Sequence, residues 1–135
     1  MDDCIFCRII KKEIPARILH EDEDFLVILD AFPSGLGHTL ILPKRHIPDI
    51  LALDGAELER LAPLIKETAG RLKDALGFDG LNVLQNNGPA AGQTVFHLHA
   101  HLIPRWEGDR VNVKWPVKKD LRDEEIDEFV RKVKF

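Results

Sequence analysis

Apolar residues in this chain follow two patterns, short aliphatic runs and one long stretch at helical spacing. Phe25-Leu-Val-Ile-Leu29 and His38-Thr-Leu-Ile-Leu42 are runs of strand type that end at Asp30 and Pro43. The connection between them begins Ala31-Phe-Pro-Ser-Gly35, which has turn chemistry, and its length suits a hairpin-like pair. Leu81-Asn-Val-Leu84 and Thr94 to Ile103 read as further strands on either side of the loop Gln85 to Gln93. From about Gly55 to Leu76 the spacing changes to three and four, with Leu58, Leu61, Ile65, Leu72 and Leu76 in one stripe. Asp54 is a suitable N-cap, Glu57 completes a capping-box pattern, and Gly77 suits the C′ position. Pro63 is expected to kink this helix. Cys4 to Ile10 fits a single helical turn, and the charged tail Lys118 to Phe135 carries Ile126, Phe129, Val130 and Val133 in a helical stripe. A long helix against a largely antiparallel sheet is an α+β arrangement.

Composition narrows the picture. At 135 residues, with 44% hydrophobic and 31% charged residues, the chain fits one ordinary folded domain. No apolar run approaches the roughly 20 residues that cross a bilayer, so no membrane association is expected. The start Met1-Asp2-Asp3-Cys4 is acidic where a secretory signal would be basic, which points to a cytoplasmic protein. A net charge of −4 argues against a general nucleic-acid binder but leaves room for a nucleotide held by a few donors.

The chemistry concentrates in His97-Leu-His-Ala-His101, followed by Leu102-Ile103. On a strand this alternation sets three imidazoles on one face. Imidazole titrates near neutrality, so such a row can take, hold and return a proton or an electrophile. Same-face neighbours on a strand lie about 6.6 Å apart, so three regular strand histidines do not converge easily on one ion. One terminal histidine serving a metal, with the other two left for chemistry, fits better.

Cys4-Ile-Phe-Cys7 is a second constellation. Two cysteines at this spacing can grip a metal, form a redox pair or simply be buried. Without export a structural disulfide is disfavoured, and the βαβ setting of a redox motif is missing. Zinc needs two more ligands, which His46 and the triad can supply. The third constellation is the loop Asn86-Asn-Gly-Pro-Ala-Ala-Gly-Gln-Thr94, whose glycines and polar side chains suit an anion-binding turn placed just before the histidines. Histidines 38 and 20 read as a buried neighbour of the site and a surface residue.

The run His97 to Ile103 resembles the His-φ-His-φ-His-φ-φ signature of the histidine triad (HIT) family of nucleotide hydrolases and transferases. Cys4-Ile-Phe-Cys-Arg-Ile-Ile-Lys-Lys-Glu-Ile-Pro15, Gly37-His-Thr-Leu-Ile-Leu-Pro-Lys-Arg-His-Ile47, Asn86-Asn-Gly88 and Gly92-Gln-Thr-Val-Phe-His97 are similar to its Hint branch. The resemblance implies a HIT-like fold with about five antiparallel strands, one long helix and a shorter C-terminal helix. It implies one domain over residues 1–135, with a core of about 4–110 and a charged extension over 111–135. By the same resemblance, His99 attacks the α-phosphorus to form a nucleotidyl-histidine, and His101 assists at the phosphate or leaving group. Gly92, Gln93 and Thr94 contact the phosphate, Asn86 sits near the ribose-phosphate, and Asp30 accepts from the ribose hydroxyls. Phe6, Ile9, Ile28 and Ala31 line the base pocket. Cys4, Cys7, His46 and His97 hold one structural zinc per chain, and the protein is a homodimer.

The implied activity is a phosphoramidase-like hydrolase acting on conjugates of purine nucleoside monophosphates of the AMP or GMP type. Three other readings remain open from the residues. They are a dinucleoside polyphosphate hydrolase or phosphorylase, a nucleotide-responsive interaction module with little turnover, and a zinc hydrolase using the triad as ligands.

Overall fold

The structure is a computed structural model that describes residues 3–135; Met1-Asp2, half of the acidic start, lies outside the described residues. Its framework is an antiparallel sheet of β1 (Ile18–Glu21), β2 (Phe25–Leu29), β3 (Thr39–Pro43), β4 (Gly80–Gln85) and β5 (Ala100–Arg105). The spatial order is β1-β2-β3-β5-β4, so β5 lies between β3 and β4. Helix α1 (Ile5–Ile10) precedes the sheet, α2 (Gly55–Leu76) joins β3 to β4, and α3 (Asp123–Val133) closes the chain. The α+β class, five-strand sheet and two later helices agree with expectation.

Strands β2 and β3 are buried on both faces, which explains why they read as continuous apolar runs. Period two divides their side chains between two cores. Phe25, Val27, Ile41, Ala100 and Leu102 pack with Leu61, Leu64 and Leu72 of α2. Leu26, Ile28, Leu40 and Leu42 pack on the opposite face with Phe6 and Ile9 of α1. The long helix thus covers one face and leaves the other to α1 and the histidines.

The boundaries of α2 are those the capping residues predict. The Asp54 side chain accepts from the Glu57 N–H at 2.7 Å, and Gly77 takes the left-handed conformation at φ +60°. The reciprocal half of the capping box is replaced: Glu57 accepts from Arg45 Nε at 2.6 Å and Nη2 at 2.8 Å. A bidentate charged pair is stronger than a bond to one neutral amide, and it ties the helix start to the segment after β3. Leu58 is not in the buried stripe; it is 47% exposed, and Leu64 and Thr68 complete the inward face. Pro63 lies within the helix on its exposed side, where water can satisfy the carbonyl it leaves unpaired.

Two strand expectations change. All four residues of β1 are exposed on a sheet edge, so the strand has no alternation by which to detect it. β5 begins at Ala100 rather than Thr94, because residues 94–99 bend across the sheet end, where Leu98 N–H donates to the Ile47 carbonyl at 2.7 Å. Gly37 enters β3 at φ +86°, and a Cβ there would sit 2.5 Å from Leu76 Cδ1 and 3.2 Å from Pro104 Cγ. The tail does form a helix, with acids in the first turn of α3 and bases in its last, as the helix dipole favours. Its stripe of Ile126, Phe129, Val130 and Val133 is exposed. Among the described residues, no helix is long and apolar enough to cross a membrane.

Leu102 is fully buried beneath α2, so Leu102→Ala is expected to lower unfolding free energy by about 2–5 kcal/mol. Leu58→Ala is expected to cost less than about 1 kcal/mol. Urea denaturation of both variants checks the assignment of the helix face; equal losses would contradict it.

Candidate functional site

The face of the sheet opposite α2 carries a groove of about 1240 Å³. Phe6, Ile9, Ile28, Asp30 and Ala31 line it together with Asn86, Gly92, Thr94, His99 and His101. Alternation along β5 explains part of this: Ala100 and Leu102 belong to the α2 core, so His101 points the other way.

Hydrogen bonds assign the proton on each ring. His97 is completely buried, and its Nε2–H donates to the Pro43 carbonyl at 2.7 Å, which leaves the lone pair on Nδ1. The carbonyl of His97 accepts from His99 Nδ1–H, also at 2.7 Å, so the lone pair of His99 is on Nε2. The Phe6 ring meets His99 edge-on at 4.9 Å and His97 at 5.8 Å between centroids. The triad is therefore not one regular strand face; two members precede the strand and are held by backbone carbonyls.

His101 belongs to a second chain of bonds. Ser34 N–H donates to His38 Nδ1 at 2.9 Å, which places the His38 proton on Nε2. That Nε2–H donates to His101 Nδ1 at 2.9 Å, with an Asp30 carboxylate oxygen 3.4 Å away. His101 must then carry its own proton on Nε2. Its ring lies 5.0 Å from that of His99, so a ring with a free lone pair stands beside a ring with a free N–H. Burial pushes the His101 pKa down to about 4, helped by His99 and His38 and opposed by Asp30. Burial likewise lowers His38, again against Asp30. Both rings are neutral near pH 7. Asp30, His38 and His101 also converge closely enough to suggest a metal site. The Ser34 N–H excludes it in this arrangement, because a metal on His38 Nε2 would require a fully deprotonated imidazole.

Cys4, Cys7, His46 and His97 form a separate cluster, with all four donor atoms within 4.8 Å of one another. Cys4 Sγ lies 3.5 Å from His97 Nδ1, and Cys7 Sγ lies 3.2 Å from His46 Nδ1 and 3.6 Å from His97 Nδ1. The two Nδ1 atoms are 3.2 Å apart. Tetrahedral zinc, with bonds of about 2.3 Å to sulfur and 2.0–2.1 Å to nitrogen, sets N···N near 3.3 Å and S···N near 3.6 Å. The donor set and spacing both fit. The His97–Pro43 bond supplies the outer partner that a metal-bound imidazole needs. Burial, and then the neighbouring Cys4 thiol, raise the pKa of Cys7, so a cation is the natural means of holding both sulfurs as thiolates.

In the loop before the triad, Gly88 and Gly92 have φ values of +87° and +91°. Gln93, expected at the phosphate, is 4% exposed and does not line the groove. Its side chain donates to the carbonyls of Pro48 and Val95 and accepts from Gly88 N–H. Gln93 braces the loop, and Thr94 and Gly92 form the wall. From the sequence His38 reads only as a buried neighbour of the site, and Ser34 carries no mark of its role. The one local signal for them was a histidine entering an apolar strand after a turn.

The HIT domain family matches residues 11–108. An uncharacterized HIT-like protein of Methanocaldococcus jannaschii is 44% identical over 131 residues, 97% of this chain and 98% of that one. Adenylylsulfatase HINT3 of Arabidopsis thaliana is 42% identical over 108 residues, 80% of this chain and 55% of that protein. A HIT family member from Bacillus subtilis superposes with a TM-score of 0.90 at 34% identity, covering 97% of this chain and 94% of that one. A histidine triad nucleotide-binding protein from Candida albicans gives 0.85 at 36% identity, covering 98% and 95%. A zinc-bound histidine triad protein from Mycobacterium smegmatis gives 0.78 at 36%, covering 97% and 92%.

The depressed His101 pKa has a consequence for stability. Between its ordinary value of 6.5 and about 4, the unfolded chain binds a proton that the folded protein refuses. Stability is therefore expected to rise with pH across that window and to level off above it. Urea denaturation at a series of pH values checks this, and the slope should be shallower in His101→Asn.

Proposed function

This chain belongs to the HIT domain family, and we propose that it is a nucleotide-binding hydrolase or transferase. The proposed reaction cleaves the bond between phosphorus and the leaving group in conjugates of purine nucleoside monophosphates. The observation that carries this reading is the pair of assigned tautomers: a lone pair on His99 Nε2 beside an N–H on His101 Nε2, at the wall of one groove. The names of the nucleotide-binding and adenylylsulfatase relatives support the same class of chemistry.

Base and sugar are placed first. Phe6, Ile9 and Ile28 offer an apolar slot for a purine, and Asp30, whose Oδ1 accepts from Phe32 N–H and whose Oδ2 lies 3.4 Å from His38 Nε2, has lone pairs left to accept from the ribose hydroxyls. Gly92, Thr94 and Asn86 border the phosphate. His99 Nε2 attacks phosphorus in line with the departing group. As the new P–N bond forms, positive charge grows on the ring, and the His97 carbonyl stabilises it through Nδ1–H. His101 Nε2–H donates a hydrogen bond to the bridging atom, where negative charge develops. The bond from phosphorus to that atom breaks, and an amine leaving group takes up a proton from solvent as it departs. Water then attacks phosphorus, the P–N bond to His99 breaks, the nucleoside monophosphate leaves, and the proton lost by water returns to solvent.

Zinc bound by Cys4, Cys7, His46 and His97 would act structurally, since four protein ligands leave no position for substrate. We place the protein in the cytoplasm, which would keep both cysteines reduced, and expect a homodimer. A phosphoramidase-like activity is the first choice of reaction. The groove volume favours a second: 1240 Å³ exceeds the roughly 300–1,000 Å³ of ordinary small-molecule sites, leaving room for the larger leaving group of a dinucleoside polyphosphate.

His99→Ala is expected to lower kcat by about 10³-fold or more while nucleotide affinity stays within a few-fold. Substrate should label the wild-type protein with an acid-labile, base-stable bond. Retained turnover in His99→Ala would overturn the covalent route. Rates on an adenosine phosphoramidate and a diadenosine polyphosphate distinguish the two substrates. Metal analysis should find about one zinc per chain and none in a Cys4→Ser/Cys7→Ser variant.

A further inference from the structure

Helix α1 takes part in two sites at once. With six residues it is too short to hold its shape alone. Its start is Cys4, whose sulfur accepts from the Cys7 N–H at 3.5 Å, and both thiols face His46 and His97. Between and beyond the cysteines, Phe6 and Ile9 form part of the groove wall. Phe6 also touches the rings of His97 and His99. A metal held by the four donors would fasten the wall that meets the base to the residue whose carbonyl orients His99.

We infer that the cysteine pair is a redox-sensitive clamp on nucleotide affinity, an inference that rests on the zinc and nucleotide readings above. Metal-loaded, the clamp holds α1 against the groove; oxidised, it releases the metal and loosens α1. Cys4 is partly exposed and Cys7 buried, so an oxidant such as hydrogen peroxide reaches Cys4 first. The Cys4 thiolate attacks peroxide, the O–O bond breaks, hydroxide leaves, and Cys4 becomes a sulfenic acid. The Cys7 thiolate then attacks that sulfur, forming the S–S bond and expelling a second hydroxide. Two thiolates have lost two electrons, peroxide has gained them, and the metal departs without redox change.

A disulfide draws the sulfurs to about 2.05 Å, whereas two sulfurs on one tetrahedral zinc stand roughly 3.7 Å apart. Joined to each other, the sulfurs no longer tie α1 to His46 and His97. What remains is the edge-on contact of Phe6 with His97 and His99 and the apolar contact of Phe6 and Ile9 with Leu26, Ile28, Leu40 and Leu42. The thiol–disulfide couple is reversible, so a reductant and zinc together restore the clamp.

The test uses the full chain in three preparations: zinc-loaded, reduced and stripped with chelator, and oxidised with peroxide. Calorimetric titration with AMP measures affinity, and hydrogen exchange measures protection of α1 against that of β2, β3 and β5. The loaded protein is expected to bind AMP at least tenfold more tightly than the other two. Exchange should accelerate in α1 alone, and dithiothreitol with zinc should reverse both effects. The Cys4→Ser/Cys7→Ser variant should show no response to peroxide. Oxidised, zinc-free protein that binds AMP within twofold of the loaded form overturns the inference, as do unchanged α1 exchange, a peroxide response in the double variant, or failure to take up zinc. If the loaded protein binds neither AMP nor GMP, the nucleotide reading fails instead, and α1 exchange alone decides the clamp.

Discussion

The bond from His99 Nδ1 to the carbonyl of His97 is the interaction on which the site depends. One residue serves two purposes through different atoms. The His97 ring looks toward the thiols, with its Nε2–H held by Pro43, and its backbone oxygen fixes the neighbouring imidazole. The alternating histidines therefore do not act as three equivalent groups. Two are oriented by backbone carbonyls, which cannot change protonation state near neutrality. The third is oriented by a further histidine, whose own orientation comes from the Ser34 amide. Each buried ring has its partner, and none of the buried side-chain polar atoms among the described residues lacks one.

The sheet makes this arrangement affordable in structural terms by separating two faces. α2 packs against Val27, Ile41, Ala100 and Leu102 through apolar side chains, and the one buried hydroxyl on its inward face, Thr68, donates back to the Leu64 carbonyl. Among the described residues the other face is covered by six-residue α1 and by loops, so polar side chains can line a groove there without interrupting the main core. Gly37 marks where the two requirements meet. The chain passes so close to Leu76 and Pro104 that a side chain would collide, and one residue later it delivers His38 to the site.

Much of the fold was legible. The continuous runs of β2 and β3 reflect burial on both faces, and Asp54 and Gly77 mark both ends of α2 because capping chemistry is local. Where the reading failed, a distant partner intervened. Glu57 turns to Arg45 rather than back to its own helix, and Leu58 falls outside the buried arc once the helix is rotated onto Leu61 and Leu64. β1 has no apolar rhythm because neither of its faces is covered. Gln93 looked like an anion ligand, but its amide is consumed by the carbonyls of Pro48 and Val95.

The sequence by itself determined which chemistry was present: three alternating histidines, a cysteine pair, a glycine-rich loop, and a family signature linking them. These are covalent facts, and spacing along the chain preserves them. Only the tertiary structure decided which nitrogen of each ring holds a proton, since that depends on carbonyls and amides brought from Pro43, Ser34 and the bend before β5. It also decided that Cys4, Cys7, His46 and His97 meet at metal-ligand distances across 93 residues of chain. Hydrogen bonds act over about 3 Å, and distance in space is set by the packing of the whole sheet rather than by order along the chain.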